Sequence, residues 1–252
     1  MTESIVQSVD RTDELAKALA ALQERLSRAA EIVGRNVAEI DLLPVTKFFP
    51  ATDVAILLGL GCRSFAESRD QEAREKARQL TEMAASADVH WHMVGRIQRN
   101  KARSIAHWAD TVHSVSSARV ADALDRAADE ARAAGVRRAP LDVYVQVSLD
   151  GDVARGGVDV EKPDEVDALC ARVHAAAGLR LVGLMGIPPL GVDPEDAFIR
   201  LNAERNRVQD QYEQRLGLSA GMTADLEAAV KHGSTCVRVG TALMGARPLT
   251  SP

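Results

Sequence analysis

The amino-acid sequence predicts a single (β/α)8 barrel of the TIM type, an α/β fold, preceded by one extra helix. Short apolar segments rich in branched residues alternate with longer stretches of Ala, Glu and Arg, which is typical of buried strands and amphipathic helices. We count eight strand segments in 252 residues, and eight βα units in about 250 residues match this fold. Such units demand parallel pairing with right-handed crossovers. The alternative is a doubly wound open sheet, which usually has fewer strands.

The extra helix is predicted over residues 11–33, and Gly34 follows it as a C-cap candidate. Its apolar residues recur every three or four positions and therefore share one face: Leu15, Leu19, Leu22, Leu26 and Ala29. We expect residues 1–36 to form a helical segment packed on the barrel and residues 37–252 to form the barrel itself. The two parts are expected to make one domain overall.

Each strand is predicted from a short apolar run, and the fifth run is the clearest because valine occupies every second position at Val143, Val145 and Val147. The predicted strands are residues 40–45, 62–66, 90–94, 111–115, 141–149, 179–187, 218–222 and 235–244. Amphipathic stretches that end near glycines separate them. The predicted helices are residues 50–59 or 50–61, 69–85, 100–108, 117–134, 162–177, 193–216 and 223–232.

Composition excludes several classes of protein. Aromatic residues make up only 3% of the chain and the net charge is −5, which argues against nucleic-acid binding. The three cysteines show no CxxC spacing, so we expect neither a disulfide framework nor a structural zinc site. The polar, acidic N-terminus and the absence of an apolar run of about 18 residues predict no signal peptide and no membrane helix. A cytoplasmic location is therefore expected.

Lys47 follows the first predicted strand, and barrels of this type carry their chemistry where strands end. A lysine among apolar residues at a barrel mouth can lose its charge by desolvation, and its neutral amine can then form a Schiff base. The alternative is a solvated loop lysine, which is the commoner state of a single lysine.

The segments after the seventh and eighth predicted strands are candidates for a phosphate site. Gly240 and Thr241 can offer backbone N–H groups, because glycine lets the backbone approach a ligand closely. Ser219 and Thr223 add hydroxyl donors at a predicted helix start, where the helix dipole favours an anion. For Thr223, simple capping of that helix is an equally good interpretation.

Four other positions hold polar residues at or near predicted strands. Arg238 lies inside an apolar strand and needs an acceptor, which is either a structural carboxylate or a ligand at the barrel mouth. His90 and His92 share one strand face, but without further ligands a packed, hydrogen-bonded histidine is the better interpretation, and no metal site is predicted. Glu67 is interpreted as a carboxylate at the start of the next helix.

Several segments together resemble the pyridoxal phosphate homeostasis protein family. The resemblance covers about residues 42–245, and the order of the motifs makes it specific, since each motif alone is weak. The motifs are PVTK (44–47), FAE (65–67), WHMVGRIQRNK (91–101), HSV (113–115), GLMGIPP (183–189), LSAGM (218–222) and GSTCVRVGTA (233–242).

The resemblance implies a barrel like the N-terminal domain of alanine racemases, with pyridoxal 5′-phosphate (PLP) held as an aldimine on Lys47. Ser219, Gly240 and Thr241 match the family positions that bind the phosphate. Arg238 matches the arginine that faces the pyridine nitrogen. The expected function is PLP binding in intracellular vitamin B6 and amino-acid homeostasis.

The residues favour a PLP binder over an enzyme. PLP chemistry normally needs a protonated ring nitrogen as electron sink, and the charged Arg238 disfavours that protonation. A racemase also needs a second acid/base opposite the lysine, and neither Tyr144 nor Tyr212 stands in a matching motif. The alternatives are an amino-acid racemase of low activity and a Schiff-base aldolase without PLP. The expected partners are amino acids and PLP-dependent apoenzymes, and the protein is expected to be a monomer without nucleic-acid or membrane contacts.

Overall fold

A ring of parallel strands with helices around it forms the core of the protein. The structure is a computed structural model that describes residues 2–85, 88–152 and 155–246. Residues 1 and 247–252, which the expected domain ranges include, lie outside the described residues. The strands are β1 (Asp41–Pro44), β2 (Ser64–Glu67), β3 (His90–Met93), β4 (Thr111–Val115), β5 (Leu141–Ser148), β6 (Val158–Asp159), β7 (Leu179–Met185), β8 (Gly217–Ser219) and β9 (Cys236–Val239).

Helices separate most of the strands, as the alternating pattern predicts. They are α1 (Thr2–Ile32), α2 (Ala51–Gly59), α3 (Asp70–Met83), α4 (Ala102–Trp108), α5 (Ala118–Ala133), α6 (Pro163–Ala175), α7 (Pro194–Gln209), α8 (Leu226–Lys231) and α9 (Thr241–Met244). None of these helices combines the length and the apolar character that a membrane crossing needs, within the ranges that the structure describes.

All strand pairs are parallel, and the order around the sheet is β1-β9-β8-β7-β5-β4-β3-β2. The ring closes between β1 and β2 through one parallel bridge from Val45 to Ala66. The Thr46 N–H donates to the Ala66 carbonyl there at 2.9 Å. The two-residue strand β6 pairs with β5 outside this ring. The predicted (β/α)8 fold class is therefore confirmed, and β6 is an addition that the apolar pattern did not predict.

The long helix α1 packs beside the barrel against α2, α8 and α9. Its predicted leucine stripe is buried there and joins the apolar residues of α2 and β9 in one cluster. The Arg11 guanidinium donates to Asp53 at 2.6 Å and to the Met244 carbonyl at 2.9 Å, which ties α1 to α2 and α9.

Alternation along each strand separates an outer layer from the barrel interior. Phe65, Val237 and Val239 pack outward in the cluster that contains the α1 leucines. Their neighbours in sequence point the other way, and Leu43, Ala66 and Cys236 form a separate cluster. This second cluster lines the inside of the barrel.

Three predicted elements near the C-terminus need correction. The predicted strand 235–244 is a strand only over Cys236–Val239, because the chain turns at Gly240 and forms α9. The predicted helix 193–216 ends at Gln209, where α7 gives way to a turn. The predicted helix 223–232 spans only Leu226–Lys231. Only after β9 does an apolar run, Thr241–Met244, continue past the end of the element, whereas the residues after α7 and before α8 are mainly polar.

Candidate cofactor site

Lys47 lies at the C-terminal end of β1, where the chain leaves the barrel. Leu43 and Val45 face the interior cluster, and Lys47 follows two residues later, in the turn after the carboxyl end of the strand. The side chain is half-buried. Its Nζ lies 5.7 Å from the centre of the Phe48 ring. The position agrees with the expectation that this lysine stands where the barrel carries its chemistry.

Glu67 is not the helix-start carboxylate that we expected. It is the last residue of β2, it is fully buried, and its Oε1 accepts hydrogen bonds from Thr46 Oγ1 at 2.6 Å and from Lys76 Nζ at 2.5 Å. The helix begins three residues later, at Asp70. Burial raises the pKa of Glu67, and the nearby Lys76 ammonium opposes that shift. Because Ala66 faces inward, Glu67 faces outward toward α3.

Arg238 and Ser219 meet inside the barrel. Arg238 Nη1 donates to Ser219 Oγ at 2.5 Å, and Nη2 donates to the Gly186 carbonyl at 3.2 Å. Gly186 directly follows β7, so the guanidinium reaches the same end of the barrel as Lys47. Both side chains are buried, and Arg238 has no carboxylate oxygen within 4.0 Å among the described residues. Of the two alternatives that the sequence left open, the structural carboxylate is therefore not found among the described residues.

A histidine pair extends this contact into the barrel. His113 Nδ1 lies 2.8 Å from Ser219 Oγ, and His113 Nε2 lies 3.0 Å from His92 Nδ1. The His113 ring stacks on Tyr144 with centres 4.6 Å apart. Burial lowers the pKa of His92 to about 4 and lowers the pKa of His113 well below its usual value. Each imidazole is therefore neutral at neutral pH, with one donor and one acceptor nitrogen.

The segment after β9 offers backbone donors at the barrel mouth. Gly240 precedes α9, and the first-turn amides of Thr241 and Ala242 have no hydrogen-bond partner among the described residues. A side chain at Gly240 would point at Val45, whose Cβ lies 3.8 Å from an ideal Cβ at Gly240. Glycine thus leaves open a space that a side chain would fill. Thr241 is exposed.

Thr223 does not cap the next helix. The residue before α8 is Asp225, and the Asp225 carboxylate accepts a hydrogen bond from the Met222 N–H at 2.5 Å. The Thr223 carbonyl accepts from Arg25 Nη1 at 2.7 Å. Thr223 therefore does not stand at the start of α8, and its hydroxyl is not combined with the dipole of that helix as we expected.

The donor set at this end of the barrel fits PLP. Lys47 supplies a primary amine, Arg238 supplies a buried cation without a carboxylate, and the turn at Gly240 supplies free amides beside an open space. An amine, a cation and backbone amides suit an aldehyde, a ring nitrogen and a phosphate respectively. The fit rests on these chemical types and on their common position.

Sequence reasoning missed three side chains close to the site. Lys76 and Glu72 on α3 contact the residues that flank Lys47, and His113 contacts Ser219. One signal was present for Lys76, because it falls on the buried stripe of α3 with Ala73 and Leu80. A lysine on such a stripe needs a partner. His113 carries no comparable signal beyond its membership in the HSV motif.

Comparison with known proteins identifies the family. A family model described as "Alanine racemase, N-terminal domain" matches residues 18–248. A pyridoxal phosphate homeostasis protein of Mycobacterium bovis is 62% identical over 249 residues, which cover 96% of each chain. The chain belongs to the pyridoxal phosphate homeostasis protein family. The family member of Escherichia coli is 34% identical over 242 residues, which cover 93% of this chain and 97% of that one.

Solved structures agree with this family and with the barrel. PipY of Synechococcus elongatus, solved without PLP and with PLP bound, matches with TM-scores of 0.78 and 0.76 at 33% and 32% identity. Both matches cover 92% of this chain and 100% of PipY. The alanine racemase of Streptomyces coelicolor matches in fold, with a TM-score of 0.68 at 20% identity over 91% of this chain and 59% of the racemase. The predicted family resemblance is confirmed.

Proposed function

We propose that this chain binds PLP, holds it covalently on Lys47, and acts in the cytoplasm in vitamin B6 and amino-acid homeostasis. One observation carries the proposal: the buried guanidinium of Arg238 lacks a carboxylate among the described residues and reaches the barrel end that holds Lys47. Burying a charge without an opposite charge beside it is costly, and a ligand that accepts its remaining hydrogen bonds offsets that cost. The names of the relatives and the PLP bound to PipY support the same function.

Each residue of the site has a defined task in this proposal. Bound PLP would supply an aldehyde that condenses with an amine, a ring that accepts electrons, and a phosphate. Lys47 supplies the amine, and the amides of Thr241 and Ala242 beside Gly240 hold the phosphate. Arg238 donates toward the ring nitrogen. Amino acids and PLP-dependent apoenzymes are the proposed partners, and the protein is proposed to act as a monomer.

The hydroxyl groups of Ser219 and Thr223 are both predicted to bind the phosphate, but their surroundings differ. Ser219 Oγ already contacts Arg238 and His113 inside the barrel, so we assign its hydroxyl to holding Arg238. A phosphate contact from Ser219 would have to replace one of these two bonds. Thr223 stays a proposed phosphate ligand only because it carries a hydroxyl in the segment that follows β8.

Two features favour binding over catalysis. A guanidinium keeps its proton at any ordinary pH, so Arg238 acts only as a donor and disfavours protonation of a ring nitrogen that faces it. Proton exchange on both faces of an amino acid also needs a base opposite Lys47. Tyr144 is packed against His113 within the barrel, and burial raises its pKa. Tyr212 follows α7 and packs in the outer layer.

Reduction with borohydride tests the proposal directly. The wild-type protein loaded with PLP should keep one covalent adduct after reduction, seen as a mass increase of the intact chain. Lys47→Ala should lose the adduct, whereas Lys162→Ala should keep it, because Lys162 is an exposed surface lysine. An adduct that persists on Lys47→Ala would show that another lysine carries PLP.

A second measurement separates binding from racemase activity. We expect PLP-loaded protein to change its absorption spectrum when amino acids are added, without racemising L- or D-alanine at ordinary turnover rates of about 1–10³ s⁻¹. Chiral chromatography of alanine measures this, with Lys47→Ala as the control. Lysine-dependent racemisation in that range would replace the binding function with the racemase function.

A further inference from the structure

The residues on both sides of Lys47 are held by charged side chains outside the barrel mouth. The Thr46 carbonyl accepts a hydrogen bond from Lys76 Nζ at 2.8 Å, and Thr46 Oγ1 donates to Glu67 at 2.6 Å. On the other side, the Phe48 N–H donates to Glu72 Oε1 at 2.5 Å. Lys47 is thus the central residue of a three-residue segment whose two neighbours are fixed.

The three charged residues form one connected cluster. Lys76 Nζ lies 2.5 Å from Glu67 Oε1 and 3.2 Å from Glu72 Oε1. Glu67 and Lys76 are buried between β2 and α3, while the Glu72 side chain is 24% exposed. Because Glu67 faces α3 and not the barrel interior, the cluster contacts the Lys47 segment from the outer side of the strands.

The backbone at Phe48 needs such support. Its φ is +71°, in the left-handed region that residues other than glycine rarely adopt. Conformations of this kind persist only where the surrounding structure holds them. The hydrogen bond from the Phe48 N–H to Glu72 fixes the amide directly after Lys47, at the residue where the chain turns away from the barrel.

We propose that Glu67, Glu72 and Lys76 are positioning residues that fix the backbone on both sides of Lys47 and so aim its amine into the barrel mouth. The inference rests on the proposed function, in which Lys47 holds PLP. A fixed backbone sets the direction of the Lys47 Cα–Cβ bond. The long side chain then loses less freedom when its amine reaches the aldehyde, which strengthens binding. None of the three residues needs to touch the cofactor.

Glu72 is the residue on which the test is best made, because it is partly exposed and its removal should leave the fold intact. Glu72→Ala removes the acceptor of the Phe48 N–H, whereas Glu72→Gln keeps an oxygen at the same place. Glu75→Ala is the matched control, since Glu75 lies on the same helix and pairs with Arg78 at the surface. The first readout is amide hydrogen exchange of residues 46–48 in cofactor-free protein. Exchange should be faster in Glu72→Ala and unchanged in Glu72→Gln and Glu75→Ala.

The second readout is PLP binding, followed by fluorescence titration and by the induced circular dichroism of the bound chromophore. Glu72→Ala should weaken binding by about threefold to tenfold and reduce the dichroism, and Glu72→Gln should restore both. Wild-type exchange, affinity and dichroism in Glu72→Ala would overturn the positioning role. So would a Glu72→Gln variant as defective as Glu72→Ala, because the retained acceptor would then have no effect.

The same preparations separate this inference from the proposed function. If reduction leaves the adduct on Lys47→Ala, the proposed function fails, whatever the Glu72 variants do. If Lys47→Ala loses the adduct and Glu72→Ala behaves as wild type, only the positioning role fails. Glu67→Gln provides an independent check, because it keeps an acceptor for Thr46 and Lys76 but removes the buried charge. It should bind PLP more tightly than Glu67→Ala, and equal binding would contradict the inference.

Discussion

Arg238 Nη1 lies 2.5 Å from Ser219 Oγ, and no carboxylate lies within 4.0 Å of the guanidinium in the described part of the chain. Lys76, the other buried cation among the described residues, lies 2.5 Å from the carboxylate of Glu67. Both cations are buried in the same barrel, but only the charge of Lys76 is compensated by a nearby carboxylate. Lys76 is paired with a carboxylate within the protein, whereas Arg238, the proposed donor to the cofactor, is not.

Replacing Arg238 should separate stability from binding. A buried charge without an oppositely charged partner contributes little to stability, so Arg238→Met should leave the free energy of unfolding of cofactor-free protein equal or higher, by up to about 4 kcal/mol. PLP affinity should fall by more than about tenfold. Urea unfolding and fluorescence titration measure the two effects. A large loss of stability would mean that Arg238 is a structural residue.

Replacing Lys76 should have the opposite effect on stability. Lys76→Met leaves the buried Glu67 carboxylate without its cation, which should cost about 3–5 kcal/mol of unfolding free energy. The double variant Lys76→Met with Glu67→Gln should recover most of that loss, since the uncompensated charge is then gone. Urea unfolding at neutral pH checks both variants. A double variant as unstable as Lys76→Met would show that packing, and not charge, causes the loss.

The cost of losing Lys76 should depend on pH. Burial raises the pKa of Glu67 above its ordinary value of 4.5, so the folded protein holds this proton more tightly than the unfolded chain. The stabilisation from that proton is fully present below pH 4.5 and is lost as pH rises through the folded pKa. In Lys76→Met no ammonium opposes the effect of burial, so the pKa of Glu67 should rise further. The difference in stability between wild type and Lys76→Met should therefore widen from acidic to neutral pH.

The histidine pair predicts a second pH dependence, of opposite sign. Burial lowers the pKa of His92 from 6.5 to about 4, so the unfolded chain binds a proton more readily than the folded protein. Stability from neutral His92 is present above pH 6.5 and is lost progressively as pH falls toward 4, by up to about 3 kcal/mol. His92→Gln should lose part of this dependence, and the exposed His174→Gln should keep it. Equal pH profiles for wild type and His92→Gln would contradict the assignment.

A large side chain at position 240 should weaken PLP binding without disturbing the fold. A Cβ at this position would meet Val45 at 3.8 Å, an ordinary contact, so cofactor-free Gly240→Ala should be as stable as wild type. Gly240→Leu should fill the space beside the Thr241 amide and weaken PLP binding by about tenfold or more. Thermal unfolding and fluorescence titration check the pair. Gly59→Ala serves as a control, because no atom of the described residues lies within 4 Å of its Cβ position.

The sequence predicts those features that depend on a residue and its neighbours along the chain. The alternation of apolar runs with amphipathic stretches predicts the barrel, because side-chain periodicity depends only on the backbone of each element. Arg238 is recognisable because an arginine within an apolar strand is unusual, and Lys47 because it follows a strand of a predicted barrel, where such folds carry their chemistry. The motif order then specifies the family.

What the sequence by itself determined is thus the fold class, the family and the position of Lys47 at a strand end. Only the tertiary structure decided the partners of the buried polar groups. Glu67 was misinterpreted, because its partner Lys76 is nine residues away on the next helix. The sequence does not specify the partner of Arg238, because its hydrogen bonds go to Ser219 and Gly186 at the ends of two other strands. The physical reason is that a hydrogen bond requires approach within about 3 Å, and strand register and helix packing set such distances.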